Sequence, residues 1–402
     1  MITVAGTNGK GSVSAHCAAI IGAAHLRAGT FTSPHLRDYR ERIRVHDRLV
    51  SAEELVSAFE RIEKARGGVS LTFFEFNTLA ALLVFEAAKL DAWVLEIGMG
   101  GRLDAVNVVD PDVAVVVSIG FDHQEYLGAT LEAIGREKAG IFRRGRAAVL
   151  GNREMPEVVA QIAREVGAPL KRLGTEYDYT REDATWRFRG SRWNLSGLPP
   201  PSLTGEAQYA NAATAIAALE EIDARLPISA AAVARGLREV KLVARFQVIA
   251  PSAPASPTWI LDVAHNPAAA RVLARNLRDH PSGGRTLAVY GILADKDALA
   301  VAAELRGCID AWWCVTTEGD RGRSGASLAR TIAEQVAAPV EAATSIPAGC
   351  AAALAKAKPH DRIVVFGSFH VAGPALDWLE ANDLLPPGAL PEYTAAPRTP
   401  HI

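Results

Sequence analysis

Residues 2 to 12 constrain this chain more than any other stretch. Ile2-Thr3-Val4-Ala5 is a short apolar strand signal, Gly6-Thr7-Asn8-Gly9-Lys10-Gly11-Ser12 follows it directly, and the Ala-rich run Ser12–Leu26 reads as a helix. A strand that turns through glycines straight into a helix builds a phosphate cradle. The glycines let backbone N–H groups curl around phosphate oxygens, and the helix N-terminus adds partial positive charge. Thr7, Asn8, Gly9 and Gly11 supply the loop, Lys10 reaches the terminal phosphates, and Ser12 organises their Mg²⁺ end. The spacing is shorter than GxxxxGK[ST], and Gly11 separates the lysine from the hydroxyl residue. The plainer reading is a glycine-rich turn with a solvated lysine, which the strand–loop–helix context disfavours. Such a loop serves kinases, switches and ligases alike.

The rest of the chain continues the alternation. Strands are predicted at Trp93–Ile97, Val113–Ile119 and Ala147–Leu150, with helices at Phe74–Leu90 and from Ser51, where Ser51-Ala52-Glu53-Glu54 is a capping box. Between residues 175 and 197, aromatic residues alternate with polar ones, the mark of antiparallel hairpins. Helices follow at Ala207–Ala224 and Ser229–Leu237. After the turn or short exposed loop Pro251–Pro257 a second series begins, with strands Ile260–Val263, Thr286–Val289, Trp312–Val315 and Ile363–Phe366. The expected fold is α/β: a P-loop-type, mostly parallel sheet domain with appended hairpins (residues 1–243), then a smaller Rossmann-like α/β domain (247–390). The Pro-rich tail after Leu385 is expected to be poorly ordered.

Composition narrows the function classes. The 43 Lys+Arg and 45 Asp+Glu leave a net charge of −2, which gives no electrostatic reason for a nucleic-acid or anionic-membrane partner. No apolar run reaches the ~18 residues a bilayer needs. The four cysteines (Cys17, Cys308, Cys314, Cys350) form no CxxC pair and no metal-ligand spacing, so a reducing, cytoplasmic setting is expected. The N-terminus lacks the basic and apolar regions of a signal peptide.

Ten segments in order carry a resemblance. They are Gly6–Ser12, Ser33-Pro34-His35-Leu36, Leu71–Glu75, Leu95–Asp104, Asp122-His123, Gly135–Phe142, Asn211–Thr214, Arg245-Phe246-Gln247, Asp262–Pro267 and Gly367–His370. In this series the chain resembles the folylpolyglutamate synthase/dihydrofolate synthase family of Mur-ligase-like, ATP-dependent amide ligases, from residue 1 to about 385. Two departures stand out. Family members usually carry several tens of residues before the phosphate-loop strand, so that segment is expected to be missing here. The linker reads Val243-Ala244-Arg245 where the family commonly has Pro-Gly-Arg.

The resemblance implies ATP and Mg²⁺ as cofactors, with dihydropteroate, folates and L-glutamate as substrates; the chain is expected to act as a monomer. It implies one Mg²⁺ held by Ser33 and Glu96, and a second by His123 and a carbamylated Lys138. Glu96 also earns its place independently, as a carboxylate ending the apolar run Trp93–Leu95, where parallel sheets open onto ligands. Its competing reading is a buried ion pair; that of His123 is an ordinary hydrogen-bonded histidine, and that of Lys138 a solvated helix lysine. By resemblance Thr72, Phe73, Phe74, Glu75, Arg102, Leu103 and Asp104 face the pterin substrate, although core packing competes for the phenylalanines. Asn211, Arg245 and Asp262 match nucleotide contacts, and His265 and Ser368 match contacts to the incoming glutamate. Asn266-Pro267 independently reads as an N-cap followed by proline at the first helical position. Such chemistry needs no enzyme nucleophile: the carboxylate itself attacks the γ-phosphate. A peptidoglycan-precursor ligase and a non-catalytic nucleotide switch are the competing functions.

Overall fold

The computed structural model describes residues 1–46, 48–251 and 256–390. Part of the Pro251–Pro257 turn and residues 391–402 of the tail lie outside the described residues. Two compact units result: the first holds Met1–His35, Tyr39–Ser202 and Glu206–Lys241, the second Leu36–Asp38, Leu203–Gly205 and the chain from Leu242 onward.

The first unit runs β1 (Ile2–Ala5), α1 (Lys10–Ala23), β2 (Ala28–Phe31), β3 (Ile43–Val45), β4 (Arg48–Leu49), α2 (Ala52–Arg66), α3 (Phe73–Ala88), β5 (Ala92–Glu96) and β6 (Val113–Val116). It continues through α4 (Gln124–Leu127), α5 (Leu131–Ala139), β7 (Ala147–Leu150), α6 (Glu157–Val166) and β8 (Leu170–Arg172). The hairpin strands β9 (Asp178–Arg181), β10 (Trp186–Arg189) and β11 (Asn194–Leu198) follow, then α7 (Glu206–Glu220) and α8 (Ala230–Glu239). Among the described residues the main sheet has the order β4-β3-β2-β5-β1-β6-β7-β8, antiparallel only at β4-β3 and β3-β2. The hairpins form a separate antiparallel sheet, β11-β10-β9.

The central strands are apolar on both faces because helices cover both. Ile2, Val4, Val94, Val113, Val115 and Val149 pack with α1, α7, α8 and the hairpin aromatics Tyr177, Trp186 and Phe188. Their neighbours Ala5, Leu95, Ala114, Val116 and Leu150 point the other way, onto α2, α3 and α6. This period-2 division is what the short β-branched runs encode. The Ser51 capping box is present: Ser51 accepts from Glu54 N, and the Glu54 carboxylate accepts from Ser51 N at 2.8 Å. Two predicted boundaries shift for local reasons. The first helix begins at Lys10 because Gly9, at φ 87°, serves as its left-handed N-cap. The strand predicted over Val113–Ile119 stops at Val116, since β1 ends at Ala5 and only Val117 N still finds a β1 carbonyl, that of Ala5 at 2.8 Å.

The second unit runs β12 (Gln247–Ile249), β13 (Thr258–Leu261), α9 (Pro267–Asp279), β14 (Thr286–Tyr290), α10 (Ala298–Glu304), β15 (Ala311–Val315), α11 (Gly325–Ala333), β16 (Val340–Ala343), α12 (Ile346–Lys356), β17 (Arg362–Phe366) and α13 (Phe369–Ala381). Its sheet order is β12-β13-β17-β14-β15-β16, parallel except at β12-β13. Ile260, Tyr290, Trp312 and Phe366 pack on one face; Trp259, Val289, Trp313 and Val365 pack on the other. The edge strand β16, partly exposed along its length, escapes sequence reading because it carries no buried apolar run.

Candidate active site

The phosphate loop leaves β1 at its C-terminal end and enters α1 at Lys10, placing Lys10, Gly11 and Ser12 in the first helical turn. Backbone N–H groups there have no intrahelical acceptor, the condition for an anion site. The loop is tied down by residues far away in sequence. Thr7 N donates to Ser118 O at 2.8 Å, Asn8 N donates to Ser118 Oγ at 3.0 Å, and Ser118 Oγ donates back to Asn8 O at 2.9 Å. Thr7 Oγ1 exchanges hydrogen bonds with the backbone of Gly120 at 3.0 and 3.1 Å. Lys10 Nζ folds over the loop onto Gly6 O (2.9 Å) and Thr7 O (3.3 Å). The α7 residue Asn211 comes so close that a Cβ on Gly9 would lie 2.9 Å from its Oδ1. Sequence reading placed Lys10 and Asn211 in one site but passed over Ser118, whose only local signal is its position just beyond an apolar strand.

At the same sheet edge Glu96 ends β5, only 4% exposed. Ser33 follows β2, and His123 is the left-handed N-cap of α4 (φ 50°), its Nε2 3.9 Å from Asp122 Oδ1. Lys138, on α5, is 4% exposed, so the solvated-lysine reading does not describe it. Burial pulls its ammonium down to about 7, the Lys10 charge pulls the same way, and the carboxylates of Asp122 and Asp104 oppose both. Lys138, Asp122 and Asp104 therefore share one electrostatic neighbourhood with Lys10 of the phosphate loop. The Gly98–Asp104 loop reaches α5 through Gly101, where a Cβ would fall 2.7 Å from Glu137 O and 2.9 Å from Lys138 O. Arg102 N donates to Glu137 O at 2.8 Å, and the Arg102 guanidinium holds Glu137 Oε1 at 2.9 and 3.1 Å. Asp104 turns inward and accepts from Met99 N (2.9 Å) and Val106 N (3.0 Å); burial still raises its pKa against these bonds. Leu103 beside it is 79% exposed.

The two phenylalanines part company. The Phe74 ring packs on Gly98 and tilts against Phe31 at 5.7 Å, as a core residue does. Phe73 is 61% exposed. Thr72 and Glu75 cap α3 reciprocally: Thr72 N donates to Glu75 Oε2 at 2.7 Å and Glu75 N to Thr72 Oγ1 at 3.3 Å.

In the second unit, Asn266 caps α9 by accepting from Ala269 N at 2.9 Å, with Pro267 at the first helical position. The Asp262 carboxylate accepts from Phe246 N (2.8 Å) and Ala264 N (2.7 Å); burial raises its pKa while these bonds and Arg245 lower it. His265 Nδ1 lies 2.8 Å from Val263 O, and Ser368, 6% exposed, caps α13 by accepting from His370 N. Arg245 lies over the Phe369 ring at 4.9 Å. Ala244, in the family's glycine position, keeps a left-handed φ of 57°.

A divalent cation is tested by the donors present. Among the described residues no group of three or more His, Cys, Asp or Glu side chains could hold a metal ion. The candidate donors are instead one buried carboxylate, a hydroxyl, an imidazole and a buried lysine, beside a phosphate loop. Mg²⁺ is content with one or two protein oxygens when phosphate oxygens and water complete its shell, so the set fits it.

Fold and site together define a ligase of the Mur type. The Mur ligase middle domain matches residues 4–219, and the Mur ligase, glutamate ligase domain matches residues 244–369. The dihydrofolate synthase/folylpolyglutamate synthase of Escherichia coli (strain K12) is 42% identical over 382 residues, covering 95% of this chain and 87% of that protein. The solved structure of E. coli FolC in complex with DHPP and ADP superposes with a TM-score of 0.89, covering 95% of this chain and 89% of its own. A bifunctional folylpolyglutamate synthase/dihydrofolate synthase with Mn, AMPPNP and L-glutamate bound gives 0.86 at 42% identity, over 94% and 89% of the two chains. This chain belongs to the dihydrofolate synthase/folylpolyglutamate synthase family.

Proposed function

We propose that this chain is an ATP-dependent ligase that joins L-glutamate to dihydropteroate, giving 7,8-dihydrofolate, and to the γ-carboxylate of folate glutamates. The observation that carries the reading is the single neighbourhood of phosphate-loop Lys10, Asp122, Asp104 and buried Lys138 in a chain so similar to folate ligases solved with nucleotide, metal and glutamate. The acceptor carboxylate attacks the γ-phosphate to give an acyl phosphate and ADP. The amino group of glutamate then displaces phosphate and forms the amide.

The first turn of α1 cradles the phosphates and Lys10 offsets their charge. Asn211, Arg245 and Asp262 hold the nucleotide, while His265 and Ser368 receive glutamate. Ser33 and Glu96 hold one Mg²⁺; His123 and Lys138, carrying CO₂ as a carbamate, hold a second. When bound, the metal neutralises charge on the transferring phosphoryl group. A lysine held near 7 keeps the neutral amine that CO₂ requires, which supports the carbamate. On the pterin side Phe73, Leu103 and Arg102 present the exposed contacts; Thr72, Glu75 and Asp104 shape the backbone that carries them.

All four cysteines are free, in keeping with a reducing cytoplasm, and no helix among the described residues is long and apolar enough to cross a membrane.

Phosphate release on mixing the protein with ATP, Mg²⁺, L-glutamate and dihydropteroate tests the reading. A folate ligase releases phosphate only when both acceptor and glutamate are present. A nucleotide switch shows no dependence on either, and a peptidoglycan-precursor ligase requires a UDP-sugar instead.

A further inference from the structure

Arg42 takes no part in the site as described so far, yet its surroundings are unusual for an arginine. It is 8% exposed, at the end of the 3-10 turn Tyr39–Arg42 that leads into β3. Its Nε donates to His35 Nδ1 at 2.8 Å, and its guanidinium carbon lies 5.2 Å from the centroid of the Phe73 ring. Tyr39 meets the Phe73 and His35 rings edge-on, each at 6.1 Å, so the turn, the ring and the guanidinium form one packed group. The head group is thus fixed by a neutral imidazole and an aromatic face. Its two terminal amino groups make no hydrogen bond among the described residues, and neither is a fully enclosed atom. The Glu41 and Glu96 carboxylates are both within electrostatic reach of the guanidinium, so it lies near the candidate metal carboxylate as well as the exposed Phe73 ring.

We propose that Arg42 receives the carboxylate of the acceptor, the group that is to be phosphorylated. The proposal rests on the folate-ligase reading and names which residue of that site reads the acid. A nearly buried guanidinium is costly unless an anion compensates it; the imidazole and ring that hold it carry no charge, and the nearby Glu41 and Glu96 carboxylates do not outweigh its burial, which still lowers its pKa. The free edge of the guanidinium presents two parallel donors, the arrangement that matches a carboxylate. The Phe73 ring beside it offers a flat apolar face to an aromatic body. Benzoate-type acids such as dihydropteroate match this pairing of ring and anion. Without a fixed cation, that carboxylate would approach the Glu96 carboxylate and the nucleotide phosphates against like charge.

The test compares binding of dihydropteroate and of its carboxamide to the full chain with Mg²⁺ and a non-hydrolysable ATP analogue, followed by calorimetry. The native protein should prefer the acid by roughly 10- to 100-fold, the range of a charge-assisted bidentate pair. Arg42→Met should bind acid and amide within about threefold of each other and keep its affinity for the ATP analogue. Arg42→Lys retains the charge without the fork; its preference should fall part-way, and it serves if the Met variant does not fold. Variants that keep the native acid preference would overturn the assignment. So would equal loss of acid, amide and nucleotide binding, which marks a structural arginine. If the native protein binds neither acceptor, the folate-ligase reading falls and this assignment with it.

Discussion

Lys138 offers the sharpest chemical prediction. An ordinary lysine titrates near 10.5, and at pH 7.5 only about one in a thousand is neutral. Held near 7, Lys138 is roughly three-quarters neutral at that pH, a gain of several hundred-fold in the form that attacks CO₂. The reaction R–NH₂ + CO₂ → R–NH–COO⁻ + H⁺ consumes the neutral amine, so modification should rise with pH through about 7 and fall below it. The sign of each neighbour is also specified. Lys10 lowers Lys138, so Lys10→Met should move the midpoint up; Asp122 raises it, so Asp122→Asn should move the midpoint down. Protein equilibrated with ¹³C-bicarbonate, Mg²⁺ and nucleotide should show one carbamate resonance at pH 8 that is absent in Lys138→Ala. Activity in CO₂-depleted buffer should recover on adding bicarbonate to the native protein but not to that variant. A folded, active protein with no adduct at pH 8, or one titrating near 10.5, would refute the link between burial and modification.

Replacing Lys10 with Ala should cost on the order of 10²–10³ in kcat while leaving the thermal midpoint nearly unchanged, because its Nζ bonds only to two loop carbonyls. Phe73→Ala or Arg102→Ala should depress kcat/KM for dihydropteroate more than for folate extension, since the two carboxylates lie at different distances from the pterin; parallel assays showing equal losses would tie these residues to the shared centre. His16 is fully buried with neither ring nitrogen partnered, and burial pulls its pKa down to about 3. Its contribution is intact above about pH 6.5 and is lost as pH falls toward 3, about 2 kcal/mol by pH 5; urea unfolding at pH 7.5 and 5 should show His16→Leu losing correspondingly less, and parallel losses would be evidence against it. Ala244→Gly should raise stability by roughly 1 kcal/mol by relieving a left-handed alanine, read as a higher urea midpoint.

The sequence alone determined whatever depends on neighbouring residues. The glycine loop between a strand and a helix, the Ser51 and Asn266 caps and the alternation of the central strands are consecutive patterns, and the chain builds them locally. Glu96 was legible for the same reason, as a carboxylate ending an apolar run. Tertiary structure decided the rest. Which phenylalanine is core depends on Gly98 lying under Phe74 and leaving Phe73 outside. Thr72 and Glu75 are the exception: they match a substrate motif, yet they close the same local capping box as Ser51 and Glu54, a pattern the sequence itself carries. Ser118 anchors Asn8 across 110 positions, and Arg42 meets Phe73 only because β3 and α3 pack together. Lys138 shows the division most clearly: its spacing on α5 is that of any helix lysine. Its proton affinity comes from lost solvent and from the charges of Lys10, Asp122 and Asp104, which only the folded sheet edge assembles.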